Sequence, residues 1–173
     1  MKRIIIISFL IACVITTNFQ IKALHQRRLK AEQIRQAMLL DKSYKDKMIA
    51  IFDAQKIRYS KDGFYMTWDL LKDMPVKDKV ILSSVAACES GFYTDAYNPK
   101  NKNGSTDGGL WQINSVHKLV NRNDPVQNKK KTIELYKDGT GLSNWKASKH
   151  CWNPMIAKFD LKNTLAYNGK ATD

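Results

Sequence analysis

Residues 98–107 read Asn-Pro-Lys-Asn-Lys-Asn-Gly-Ser-Thr-Asp, a run dense in turn formers, and Asn103-Gly104 inside it is the strongest short hairpin signal a sequence offers. No helix passes through such a run, so a β-hairpin must interrupt the structure on either side of it. Upstream, Pro75 stands at the start of an apolar pattern made by Val76, Val80, Ile81, Val85, Ala86 and Cys88, with Gly91 at its end. That pattern predicts one helix from Pro75 to Phe92, with Glu89 in its last turn. The negative end of the helix dipole disfavours a carboxylate there and raises its pKa. A carboxyl that keeps its proton near neutral pH is what a general acid needs. On position alone Glu89 is an ordinary surface acid at a helix terminus. The hairpin changes that reading, because Asp107 follows the turn and precedes Gly108-Gly109 and Leu110-Trp111-Gln112-Ile113-Asn114. A helix-end acid, a polar hairpin and a second acid set two carboxyls on opposite walls of a cleft, the layout that breaks glycosidic bonds.

The rest of the chain divides by charge and hydropathy. Its 173 residues suit one domain with a core of its own, and 43% hydrophobic residues exclude wholesale disorder. The net charge of +13 restricts partners to polyanions: nucleic acid, anionic membrane or an acidic wall polymer. That charge is densest at residues 22–60, which hold ten bases against four acids. Residues 1–21 begin Met-Lys-Arg and continue as an apolar run from Ile4 to Ile15. A basic start followed by about 7–15 apolar residues describes an export signal, and the run falls short of the roughly 20 residues of a full membrane span. Three readings stay open: an uncleaved signal anchor, a cleaved signal peptide, or a lipoprotein leader, since Leu10-Ile11-Ala12-Cys13 fits a lipobox. Lys22, Arg27, Arg28, Lys30 and Arg35 follow the run and oppose export under the positive-inside rule, which long domains override. Residues 22–57 lack Gly and Pro and carry Leu24, Leu29, Ile34, Met38 and Ile49 at loosely helical spacing. They predict one or two basic amphipathic helices, serving as a stalk or as a surface for anionic lipid or wall. His25, His117 and His150 show no ligand-like spacing with the cysteines, so neither a metal nor a cofactor is expected. Cys13 lies in the leader, which leaves Cys88 and Cys151 as the pair in an exported domain, where a disulfide can form.

Cys-Glu-Ser-Gly-Phe at 88–92, followed by Gly-Ser-Thr-Asp-Gly-Gly-Leu-Trp-Gln-Ile-Asn-Ser at 104–115, resembles the lysozyme superfamily. Animal-type lysozymes carry a closely similar block at nearly this spacing. Bacterial and phage lytic transglycosylases carry Glu-Ser, then Gly-Leu-Met-Gln, then an Ala-Tyr-Asn-x-Gly motif to which Leu165-Ala166-Tyr167-Asn168-Gly169 is a near match lacking one residue. Asp124-Pro125-x-x-Asn128 and Gly141-Leu142-Ser143-Asn144-Trp145 resemble the helical half of both branches, so the resemblance spans residues 75–170. It implies a mainly helical α+β fold: a lysozyme-like domain at 61–173 with a small hairpin wing, preceded by the leader and the basic helical segment. By the same resemblance Glu89 is the catalytic acid and Asp107 the carboxylate that stabilises or attacks the oxocarbenium-like centre. Asn101 and Asn114 hydrogen-bond Asp107, Gln112 lines the groove, and Trp145 is the aromatic beside the acid. Tyr167 corresponds to the transglycosylase tyrosine that reaches that acid. A Cys88–Cys151 bridge is implied by the disulfide that joins the catalytic helix to the segment after the cleft tryptophan in animal lysozymes. Trp111 and Tyr97 are equally readable as sugar platforms or as core.

The implied substrate is peptidoglycan, at the β-1,4 bond between N-acetylmuramic acid and N-acetylglucosamine. Asp107 points to a hydrolytic lysozyme, which delivers water. Tyr167, the short leader and the paucity of cysteines favour a bacterial or phage lytic transglycosylase, whose product is a 1,6-anhydro sugar. The implied setting is the cell envelope, anchored by the leader, or a phage virion, with a secretion, conjugation or virion-assembly partner. A wall-binding or virion structural protein that kept the fold without activity is the non-enzymatic alternative, against which the intact Glu89 argues. No nucleic-acid partner is expected, because no recognised basic motif accompanies the charge.

Overall fold

The computed structural model describes residues 2–99, 101–119, 121–138 and 141–159, with side chains from residue 19 onward. The chain divides into two compact units, Met1–Lys45 and Asp46–Asp173. In the first, α1 (Lys2–Ala54) runs on without a Gly or Pro to stop it, so the stretch read as one or two helices is a single one. Phe19, Ile21, Leu24, Ile34 and Met38 are exposed along it, and Asp41 pairs with Lys45 one turn on. Side chains of the apolar run 4–15 lie outside the described residues. Among the described residues no helix is long and apolar enough to cross a membrane.

The second unit is mainly helical with one small sheet. The end of α1 supplies Met48, Ile51 and Phe52, an i, i+3, i+4 stripe that is buried in the core. Next come α2 (Lys61–Leu70) and α3 (Val76–Glu89), then β1 (Tyr97–Asn98), β2 (Asp107–Gly108) and β3 (Ile113–Asn114). A 3-10 turn at Ser115–His117 leads to α4 (Pro125–Lys137), and a kinked 3-10 segment, Gly141–Ser148, leads to α5 (Lys149–Ala157). Local signals place several of these. Ser60 caps α2 by accepting from Gly63 N at 3.0 Å, and Asp124 caps α4 by accepting from Val126 N and Gln127 N, with Pro125 at the first helical position.

Helix α3 is the central element. Val80, Ile81, Leu82, Val85, Ala86 and Ala87 are all buried, together with Ser83 and Ser84, and the helix packs against α2 and α5. Phe52, Phe64 and Phe92 meet with ring centroids 5.4–5.6 Å apart, and Tyr59 closes on Phe52 at 5.2 Å. At Gly63 a Cβ would come within 2.3 Å of Phe92 O, so only glycine lets α2 approach so closely. This cluster fixes the chain immediately after Glu89. The helix predicted to reach Phe92 ends at Glu89, because Ser90 leaves helical geometry and Gly91 turns to φ +60°. The Ser90 hydroxyl then donates to Leu110 O at 2.7 Å, tying the helix end to the segment beyond the hairpin.

The three strands form an antiparallel meander in which Asn98, Asp107 and Asn114 stand side by side, as do Tyr97, Gly108 and Ile113. The hairpin is present, but its connection is longer than Asn103-Gly104 predicts. A two-residue turn of that kind needs positive φ at both positions, and only Gly104 has it, at +80°. The loop closes instead through Gly104 N donating to Asn101 O and Asn101 N donating to Ser105 O, at 2.9 and 3.0 Å.

Candidate active site

Glu89, Asn101, Asp107, Gln112, Asn114 and Trp145, named from the sequence, all line one open cavity of about 250 Å³. Its walls come from the end of α3, the three-stranded wing and the 3-10 segment before α5. Tyr167 lies outside the described residues. Trp111 is core: it is fully buried and its indole Nε1 donates to Leu82 O at 2.8 Å. Tyr97 is exposed and does not line the cavity; its strand neighbour Asn98 faces Asp107, and successive side chains point to opposite faces.

Asp107 is held by amides from three places. Asn98 and Asn101 donate to Oδ2 at 3.1 and 2.8 Å, and Asn114 donates to Oδ1 at 2.7 Å. Ser105 Oγ accepts from both Asn101 and Asn114, which orients those two amides. Asn98 escaped the sequence reading; its only signal was a strand register that depends on loop length. Among the described residues two donors reach Oδ2 and one reaches Oδ1, which leaves one acceptor direction on Oδ1 for a group in the cavity.

Glu89 has a different environment. Burial raises its pKa above the ordinary 4.5, the nearby charge of Asp107 raises it further, and the Ser148 hydroxyl, donating to Oε1, opposes both. Burial and the like charge win, so the carboxyl keeps its proton to higher pH than a free glutamate. Leu135, Ala147, Ile113 and Trp145 give the cavity its apolar lining. Trp145 is fixed at both ends, its Nε1 donating to Trp111 O at 2.8 Å and its carbonyl accepting from Trp152 Nε1 at 3.0 Å. Ser148 was also missed from sequence, because its partner is 59 residues away.

Gln112 lines the cavity, yet its amide nitrogen is committed inward, donating to Ala96 O and Gly109 O at 2.9 Å each. It holds the Gly109–Gln112 turn, where its own φ is +47°. Behind the wing, Asn128 is fully buried and serves three backbone groups: it donates to Gly108 O and Arg122 O and accepts from Trp111 N. Arg122 donates to Thr106 O at 2.6 Å and to Thr106 Oγ1 at 2.9 Å, bracing the residue next to Asp107. The Cys88–Cys151 disulfide joins α3 to α5 with Cα atoms 5.9 Å apart, beside Glu89 on one side and close to Ser148 on the other. Among the described residues no group of His, Cys, Asp and Glu is placed to hold a metal ion.

A carboxyl whose burial raises its pKa and a second carboxyl ringed by donors, lining one cavity, suit general-acid cleavage of a bond with stabilisation of the cation left behind. Comparison with known proteins bears on the family. Residues 74–147 match a family described as a lysozyme like domain. The milk isozyme of lysozyme C from Equus caballus is 32% identical over 96 residues, covering 43% of this chain and 72% of that protein. Lysozyme C from Equus asinus is 33% identical over 96 residues with the same coverage. Among solved structures, a calcium binding lysozyme from equine milk is 25% identical, with a TM-score of 0.40, covering 65% of this chain and 98% of that one. The chain belongs to the lysozyme superfamily, as an SLT-like member carrying a lysozyme-like glycosidase domain.

Proposed function

We propose that this protein cleaves peptidoglycan at the β-1,4 bond between N-acetylmuramic acid and N-acetylglucosamine, with Glu89 as the acid and Asp107 as the stabilising or attacking carboxylate. The observation that carries the reading is the amide cradle of Asn98, Asn101 and Asn114, which aims Asp107 into the cavity that Glu89 also lines. Glu89 gives its proton to the glycosidic oxygen as the C1–O bond breaks, and positive charge develops on the muramic sugar. Asp107, held rigidly, meets that charge through the free direction on Oδ1 without reorganising. Glu89, now a carboxylate, takes a proton from the water that completes the reaction and returns to its starting state. A second carboxylate so fully supported favours hydrolysis as the outcome.

The transglycosylase outcome is the second reading, favoured by the Ala-Tyr-Asn-Gly stretch at 166–169. There the muramic hydroxyl, not water, captures the cation. In either case the basic-led apolar run 4–15 exports the domain to the peptidoglycan side of the membrane, and the basic stretch at 22–60 holds it to anionic lipid or wall. Digestion of purified peptidoglycan by the full chain, with mass analysis of the released muropeptides, tests both readings. Reducing ends establish hydrolysis and 1,6-anhydro ends transglycosylation; no release by the wild type refutes the glycosidase reading. Glu89→Gln abolishes release, and Asp107→Asn costs far more in a hydrolase than in a transglycosylase.

A further inference from the structure

Ser148 occupies the N-cap of α5, where serine usually spends its hydroxyl on the helix's own backbone N–H groups. Here it makes no such cap bond. Its backbone sits at φ −92°, ψ 9°, outside the extended region that capping uses, and its Oγ donates to Glu89 Oε1 instead. The hydroxyl is committed to a contact with one oxygen of one carboxyl. Trp145 O, 3.2 Å from the same Oγ, is the alternative acceptor for the single hydroxyl proton. Among the described residues no donor reaches Glu89 Oε2, although Glu89 lines the cavity.

A carboxylic acid has one protonated and one carbonyl-like oxygen, and the carbonyl-like one is the better acceptor, so a donor held on one oxygen favours the proton on the other. We propose that Ser148 is a positioning residue that decides which oxygen of Glu89 carries the acid proton: by donating to Oε1 it leaves the proton on Oε2, the oxygen that no donor among the described residues reaches. This rests on the reading of Glu89 as the general acid. In the first step the Oε2 proton passes to the glycosidic oxygen as the C1–O bond breaks, and the Ser148 donor stays on Oε1 of the resulting carboxylate. In the second step Oε2 takes the proton of the attacking water or muramic hydroxyl. The same atom therefore gives and recovers the proton, and Ser148 itself never transfers one.

The surroundings hold this pair in place. Trp145, three residues before Ser148, is fixed by its bonds to Trp111 and Trp152. Cys151, three residues after it, is bonded to Cys88, the residue preceding Glu89. Donor and acceptor thus sit on two backbones cross-linked beside the contact, so little freedom is lost when the hydrogen bond forms.

The test uses the full chain as wild type, Ser148→Ala and Ser148→Thr. The Glu89 carboxyl is titrated by ¹³C NMR without substrate, its signal assigned with Glu89→Gln, and kcat and KM on peptidoglycan are measured across pH. Losing the donor removes an influence that favours the ionised form, so Ser148→Ala moves the Glu89 titration and the alkaline limb of kcat to higher pH. It lowers kcat by about ten- to a hundredfold with KM nearly unchanged, the size expected for one hydrogen bond to a charged group. Ser148→Thr, which keeps the hydroxyl, restores both. A Glu89 titration or a kcat profile that does not respond to Ser148→Ala in an active enzyme overturns the inference alone. An inactive wild type whose Glu89 titration still depends on Ser148 overturns the glycosidase reading, and with it the catalytic half of the inference.

Discussion

Replacing Asn128 by alanine tests whether the wing is held as the structure indicates. The side chain is fully buried, with Nδ2 at 3.0 Å from Gly108 O and 2.8 Å from Arg122 O, and Oδ1 at 3.1 Å from Trp111 N. Alanine strands two carbonyls and one N–H, the Gly108 carbonyl and Trp111 N–H buried and the Arg122 carbonyl partly so, each costing about 1–3 kcal/mol when closed to solvent. Water entering the space left by the amide recovers part of this, so the expected loss is about 3–5 kcal/mol, against a total stability of roughly 5–15 kcal/mol for a domain. Asn128→Asp is expected to be no milder: it keeps an acceptor for Trp111 N but turns a carboxylate oxygen toward two carbonyls. Denaturant unfolding followed by tryptophan fluorescence reads the loss as a lower midpoint at unchanged slope. Peptidoglycan release should fall as well, because Gly108 directly follows Asp107. A loss below about 1 kcal/mol at unchanged slope would refute the reasoning, since that is the size of an ordinary substitution rather than of three orphaned groups.

Two further outcomes follow from the same geometry. The folded chain holds the Glu89 proton more tightly than the unfolded chain, whose value is near the ordinary 4.5, so the stability this group contributes is complete below that pH and is lost as pH rises through the raised folded value. Glu89→Gln, which cannot ionise, should therefore melt with the wild type near pH 3 and above it near pH 8, values on either side of the ordinary glutamate range; equal melting at both would contradict the raised pKa. Opening the disulfide by Cys88→Ser or Cys151→Ser frees a loop of 63 residues, for which the chain-entropy account gives about 4 kcal/mol. Oxidised and reduced wild type unfolding at the same denaturant midpoint would show that the bridge does not act this way.

Glu89 and Asp107 were legible in the sequence because each is marked by its local context, a helix end and the far side of a turn. Asn101 and Asn114 came with the family block. Asn98 was not legible. A two-residue turn at Asn103-Gly104 pairs position 100 with Asp107, whereas the longer loop slides the register so that Asn98 stands there. The hairpin signal was sound but does not fix the register, because Asn103 does not take the positive φ that a two-residue turn needs. Asn128 illustrates a second limit. Periodicity assigns a polar residue in an amphipathic helix to the surface, yet this one is buried because the irregular chain at Gly108–Trp111 and Arg122 needs an adaptable donor and acceptor. Gly109 belongs to the same junction: a Cβ there would lie 2.0 Å from Arg122 O, so the second glycine after Asp107 is a packing requirement as well as part of a motif. Met48, Ile51 and Phe52 form an apolar stripe within a segment whose dense basic charge drew attention to its surface instead.

The two carboxyls are differentiated by opposite means, and this constrains how the site can be altered. Glu89 is set by what surrounds it: apolar walls, a neighbouring negative charge, and a single donor too weak to outweigh them. Asp107 is set by directed contacts, with amides from Asn98, Asn101 and Asn114 on both its oxygens. Burial is spread over many side chains, so no single wall residue decides the state of Glu89, whereas the Asp107 cradle is a few bonds and its geometry fails with any one of them. Trp111 links the two environments, since its indole donates to α3, its carbonyl accepts from Trp145 and its N–H is held by Asn128. A change at this fully buried residue therefore reaches both carboxyls without touching either. Its place between Leu110 and Gln112, in the middle of the family block, is a demand of the hydrogen-bonded frame rather than of sugar binding.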